Sequence, residues 1–217
     1  TSLIIIHEFG HVITATIYKY RIKKITIYPY GGITEFDTLV NTKIEKDLLI
    51  AISGIIFQSI YFYTIFFLYR NGIIREYTYN LFFTYHNSML LFNVLPIIPL
   101  DGSKIINLIF SKYLNLNFSN NLTVLISFIT LSMILIGGIY EKNYSMVMVV
   151  FILLQNIWNY YKKIEYIYNK FVLERYLYNI KYKSFKIINN KNKMYKNKKK
   201  LIQTKVSMII KKIIHFL

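Results

Sequence analysis

Four stretches of this 217-residue chain, 48–69, 77–100, 121–140 and 144–161, contain no Lys, Arg, Asp or Glu. They run 22, 24, 20 and 18 residues, against the roughly 20 that a helix needs to cross a bilayer. A fifth apolar stretch, 3–18, is shorter and is interrupted by His7, Glu8 and His11. One such run reads equally well as a buried helix of a soluble protein; four within 114 residues do not. Lipid offers the backbone no hydrogen-bond partners, so the expected fold is an all-α polytopic bundle of about five transmembrane helices. With 54% hydrophobic and 17% charged residues, most of the chain is too apolar to stay disordered. The absence of cysteine excludes a disulfide scaffold, a thiol nucleophile and any thiolate metal site.

Charge is distributed asymmetrically. Residues 162–217 hold 16 of the 27 Lys and Arg and two of the ten acids, whereas 1–161 is nearly neutral. The expected division is a membrane-embedded core over 1–161 and a basic tail over 162–217. Short cytoplasmic loops are rich in Lys and Arg, which puts the tail, the 101–120 loop and the 19–47 segment inside. On that topology the first helix runs inward, and an upstream span is expected to precede Thr1. Between the first two spans, the strand-like Ile22, Ile25, Ile27 and Tyr28, the break Pro29-Tyr30-Gly31-Gly32 and Ile33–Phe36 predict a small re-entrant β-hairpin or loop.

The chemistry lies in His7-Glu8-Phe9-Gly10-His11, the HExxH pattern. Histidines four apart on a helix share a face and can converge on one metal ion, with the glutamate beside them. Zinc lowers the pKa of a bound water to about 7, and Glu8 is placed to take its proton. Apolar flanks put these ionisable groups at membrane depth, where such residues are functional by default. A catalytic zinc needs a third protein ligand and an open position. His86, His215, Glu35 and Asp101 are the candidates. Asp101 closes Asn93-Val94-Leu95-Pro96-Ile97-Ile98-Pro99-Leu100-Asp101-Gly102, whose prolines break the helix. His11 and Asp101 both fall near inner helix ends, in the cytoplasmic leaflet.

HEFGH paired with NVLPIIPLDG ninety residues later resembles the site-2 protease family of intramembrane zinc metalloproteases, and in particular its sporulation branch. Residues 29–35 and 171–176 support the resemblance, which covers residues 1 to about 176. It implies one zinc ion per chain held by His7, His11 and Asp101, with Glu8 as general base. It also implies substrate contact by Asn93 and by the Gly31-Gly32 loop. The implied substrate is a membrane-tethered protein, a sigma-factor precursor, cut near the cytoplasmic leaflet. The implied setting is a bacterial cell membrane or the membrane around the forespore, with membrane-protein inhibitors as further partners. The chain departs from the family's pattern at Ile55 and Gln58, where Pro and Asn are usual, and at Ser103, where Gly is usual.

That branch ends in a CBS domain, and the tail here is too short for a whole one, which leaves a remnant as one reading. Val206, Ile209, Ile210, Ile213 and Leu217 share one helical face and fit an interfacial helix on the bilayer. No specific nucleic-acid partner is expected, since no recognised fold accompanies the charge. The competing class is a non-catalytic membrane scaffold or transporter that retains a metal site.

Overall fold

A computed structural model describes residues 2–28, 31–142, 144–178, 184–188, 194–196 and 198–202. Its elements run α1 (Ser2–Ile17), β1 (Arg21–Tyr28), β2 (Gly31–Asp37), α2 (Ile44–Arg70), α3 (Glu76–Val94), α4 (Asp101–Tyr113), α5 (Leu116–Tyr140), α6 (Tyr144–Leu177), β3 (Ser184–Ile188) and β4 (Lys198–Ile202). β1 and β2 form an antiparallel hairpin with a register shift between Ile22 and Lys24. The turn residues Pro29 and Tyr30, the amphipathic stretch 206–217 and His215 lie outside the described residues. β3 and β4, a parallel pair in the tail, are strands that the reading of the sequence lacked.

Among the described residues, two helices, α2 and α5, are long and apolar enough to cross a membrane, against the five expected. α1 has only 16 residues. α3 and α6 are free of charge over long runs, but their many Tyr and Asn residues keep them from comparable apolarity. The outward faces of both apolar helices carry large apolar side chains, among them Ile60 and Phe67 on α2 and Met133 and Ile136 on α5. Patches of that kind on a soluble monomer mark an interaction surface; here they suit lipid. α6 continues without a break through 161/162, so the switch from neutral to basic sequence falls inside a helix.

Two packing centres position the site. The first is apolar: Ile97, Ile98 and Leu100 of the turn after α3 pack on Val124 and Leu131 of α5 and on Val150, Leu153 and Ile157 of α6. Pro96 and Pro99 end α3 as the sequence predicts; turn bonds from Leu95 N to the Phe92 carbonyl and from Ile97 N to the Leu95 carbonyl satisfy part of the freed backbone, and one side chain bonds two further groups. Ser127 Oγ donates to the Pro96 carbonyl at 2.9 Å and accepts from Ile98 N at 3.2 Å. The second centre is the close crossing of α1 over α2. A Cβ on Gly10 would lie 2.8 Å from the Ser53 carbonyl and 2.9 Å from Phe57 Cβ, so only glycine permits this approach.

Candidate active site

His7 and His11 face the same side of α1 because four residues make about one turn, and both are buried. Asp101 opens α4 directly beneath them. Its Oδ2 lies 3.0 Å from His7 Nε2 and 3.0 Å from His11 Nε2, and the two Nε2 atoms are 3.2 Å apart. Three ligand-type atoms from two helices thus form a nearly equilateral triangle.

The outer bonds fix what those atoms are. His11 Nδ1 lies 2.7 Å from the Ile50 carbonyl, which can only accept, so Nδ1 carries the proton. Gln58 Nε2 donates to the His86 carbonyl at 3.1 Å, which orients its amide and turns Oε1 toward His7 Nδ1 at 3.0 Å. His7 Nδ1 is therefore a donor as well. In the neutral rings both Nε2 atoms then present lone pairs, and they meet a carboxylate oxygen. Three acceptors pointing at one another repel unless a cation lies among them. A tetrahedral zinc with bonds of about 2.0–2.1 Å sets its ligand atoms roughly 3.3 Å apart, close to the triangle's edges. The donor set fits zinc.

Glycines and a lysine hold this geometry. A Cβ on Gly54 would fall 2.4 Å from His11 Nε2 and 2.7 Å from His7 Nε2, so α2 can back the two rings only as glycine. A Cβ on Gly102 would lie 2.1 Å from the Val94 carbonyl, which explains why glycine must follow Asp101 where α4 abuts the end of α3. Lys104 Nζ binds Asp101 Oδ1 at 2.8 Å and leaves Oδ2 to the triangle. Glu8 is 6% exposed. Thr34 of β2 donates to its Oε2 at 2.6 Å, so the hairpin orients the carboxylate.

Of the four candidates for third ligand, Asp101 alone joins the histidines among the described residues. His86 bonds Gln58 through its carbonyl and Nδ1 instead. Glu35 stands opposite Lys24 in the backbone register of the hairpin. Gly31 and Gly32 pair with Tyr28 and Ile27 at the hairpin's closed end. Asn93 is buried at the end of α3 and has no side-chain hydrogen bond among the described residues. The sequence reading missed Thr34 and Lys104, and treated Gln58 only as a departure from a pattern. Lys104 could have been found from its spacing three residues after Asp101 on a helix. Thr34 carried no signal, because only folding brings the hairpin to α1.

A cavity of about 400 Å³ opens beside this cluster, and His11, Thr34, Ser103 and Lys104 line its inner wall. Tyr20, Asp47 and Lys196 line it as well. Tyr20 donates to Asp47 Oδ1 at 2.8 Å, and Lys196 meets Asp47 Oδ2 at 2.7 Å. Burial, reinforced by the Asp47 carboxylate, pushes the Tyr20 phenol far above its ordinary pKa.

Residues 1–81, which hold both histidines, Glu8 and Gly54, match the sequence profile of peptidase family M50. Over 176 residues, or 80% of its length, the chain is 30% identical to stage IV sporulation protein FB of Bacillus subtilis (strain 168). By sequence the chain is similar to peptidase family M50 over residues 1–81 and to this sporulation protein over most of its length. It is also 27% identical over 149 residues, 67% of its length, to a zinc metalloprotease of Methanocaldococcus jannaschii. The aligned stretches span 61% of the first relative and 43% of the second. The fold matches the solved structure of a site-2 protease from Methanocaldococcus jannaschii with a TM-score of 0.59 and 24% identity, over 73% of each chain.

Proposed function

We propose that this chain is an intramembrane zinc metalloendopeptidase that cuts a membrane-associated protein near the cytoplasmic leaflet. The observation that carries the reading is the triangle of His7 Nε2, His11 Nε2 and Asp101 Oδ2, whose edges of 3.0–3.2 Å are close to the spacing of ligand atoms around one zinc ion. These three residues would hold the zinc. Bound there, zinc supplies a Lewis acid for the scissile carbonyl and acidifies the attacking water. Glu8 takes the proton that water loses and returns it to the leaving amine, so that water and one peptide bond become a carboxylic acid and an amine. The Thr34 hydroxyl fixes the rotamer of Glu8 for both transfers.

The cavity beside His11 is the place for the substrate backbone, which has to be extended there because helical backbone hides its carbonyls. The Asn93 amide, buried and unbonded, is suited to the peptide or its oxyanion, and Gly31 and Gly32 to an extended strand alongside the hairpin. By analogy with the sporulation relative, the substrate is a membrane-tethered sigma-factor precursor, in a bacterial cell membrane or around a forespore. The core over 1–161 performs the chemistry, and the basic tail faces the cytoplasm, where anionic headgroups are its natural contact.

Co-expression with such a precursor tests this reading against a scaffold or transporter. The native chain shortens the precursor, and Glu8→Gln, which keeps the zinc ligands, lowers the rate by about 10²- to 10⁴-fold. Full shortening by the Glu8→Gln chain would overturn the assignment.

A further inference from the structure

Gln58 is fully buried in the middle of α2, a position that an amide occupies only when its polar atoms are satisfied. All of them are used in one direction. Oε1 accepts from His7 Nδ1 at 3.0 Å, and Nε2 donates to the His86 carbonyl at 3.1 Å and to His86 Nδ1 at 3.2 Å. Reversing the amide would set Oε1 against that carbonyl and the ring lone pair, so His86 forbids the flip. His86 is itself clamped. Its ring stacks on Phe62, one turn along α2 from Gln58, with centroids 4.4 Å apart and planes 8° from parallel.

We infer that Gln58 and His86 are positioning residues for the metal centre: His86 of α3 sets the amide of Gln58, and Gln58 sets the tautomer and ring orientation of His7. The inference rests on the zinc reading above. It assigns a task to the residue by which this sequence departs from the family's usual Asn. Its side chain, longer by one methylene than Asn, spans from His7 on α1 to the backbone of α3. Without that acceptor, His7 Nδ1 loses the bond that keeps its proton away from Nε2. The ring is then free to tautomerise or rotate away from Asp101. An outer partner of a metal-bound histidine is worth about 10- to 100-fold in metal affinity.

The test uses the full chain in lipid nanodiscs, with zinc affinity measured by chelator competition and the His7 tautomer read by ¹⁵N NMR of labelled histidine in the metal-free protein. Gln58→Met, which keeps the volume, weakens zinc about 10- to 100-fold and moves proton population from Nδ1 to Nε2 of His7. His86→Phe keeps the stack on Phe62 and weakens zinc less, and it adds nothing when combined with Gln58→Met. Zinc affinity within twofold of native for Gln58→Met, with an unchanged His7 tautomer, overturns the inference while leaving the zinc reading intact. An equal loss from His86→Phe in both backgrounds overturns the relay through Gln58. Should Gln58→Met fail to fold, His86→Phe decides alone, and a native tautomer and affinity in it count against the pair. A native chain that binds no zinc refutes the underlying reading instead.

Discussion

The seam between α4 and α5 and the crossing of α1 over α2 both bury polar side chains in an apolar body, but they bond differently. In the seam, donors meet acceptors. Asn107 Nδ2 donates to Asn120 Oδ1 at 2.9 Å and to Thr123 Oγ1 at 3.0 Å, and the hydroxyls of Ser111 and Ser119 bond each other at 3.0 Å. Thr123 returns its proton to the Ser119 carbonyl one turn back, and Ser127 shares its one proton between the carbonyls of Thr123 and Pro96. Among the described residues, Asn120 Nδ2 is the one polar side-chain atom fully shielded from solvent and left without a partner. At the crossing, every outer bond is satisfied, and with neutral imidazoles this turns three acceptors inward. A satisfied cluster glues helices together, as small hydroxyl residues do in membrane bundles. A frustrated one is kept for something the side chains do not provide.

The largest way to break this contrast is Asp101→Asn. The new amide can donate to a histidine lone pair, so the inner cluster comes to resemble the seam. Free zinc at about 1,000 times its Kd stabilises the native chain by about 4 kcal/mol; the variant loses that gain while its metal-free form melts at or above the native temperature. Thermal melts with and without zinc read both changes. Next in size is Ser127→Ala, which leaves Ile98 N buried without its acceptor. It should cost about 1–3 kcal/mol and leave zinc affinity where it was, because the seam carries structure alone. A fall in zinc affinity there as large as that from Asp101→Asn would erase the distinction between the two regions.

The sequence made the inner cluster legible because its logic is short-ranged. Two histidines four apart, and a carboxylate followed by a glycine after two prolines, announce themselves as patterns. Their meeting required only that two inner helix ends coincide. The reading stopped where long-range contacts begin. Thr34 reaches Glu8 across 26 positions and Gln58 reaches His7 across 51, and neither spacing has a period to detect. The number of spans is less legible for a different reason. Absence of charge is not the same as apolarity, and the tyrosines and asparagines of α3 and α6 separate the two. The end of α6 shows the same limit, since Glu174 accepts Val40 N and Asn41 N at 2.9 and 3.0 Å from the loop that lines the cavity.

The smallest effect belongs to Tyr20, at the cavity's outer wall. Its raised pKa means that the neutral phenol is the folded form, so its contribution to stability is intact below about pH 10 and is lost as pH climbs beyond. Tyr20→Phe should lower stability at neutral pH by about 0.5–1.5 kcal/mol and flatten the decline above pH 10. Denaturant melts at pH 7 and pH 10.5 check this, and zinc affinity should not move.

The proposed chemistry requires His7, His11 and Asp101 to hold one zinc ion jointly. Zinc-edge X-ray absorption on the purified chain tests it most directly. The expected spectrum shows one zinc per chain, with two imidazole nitrogens and a carboxylate oxygen at about 2.0–2.1 Å, and that signal is lost in Asp101→Ala. A native chain that stays metal-free in excess zinc, or a spectrum unchanged by Asp101→Ala, would contradict it.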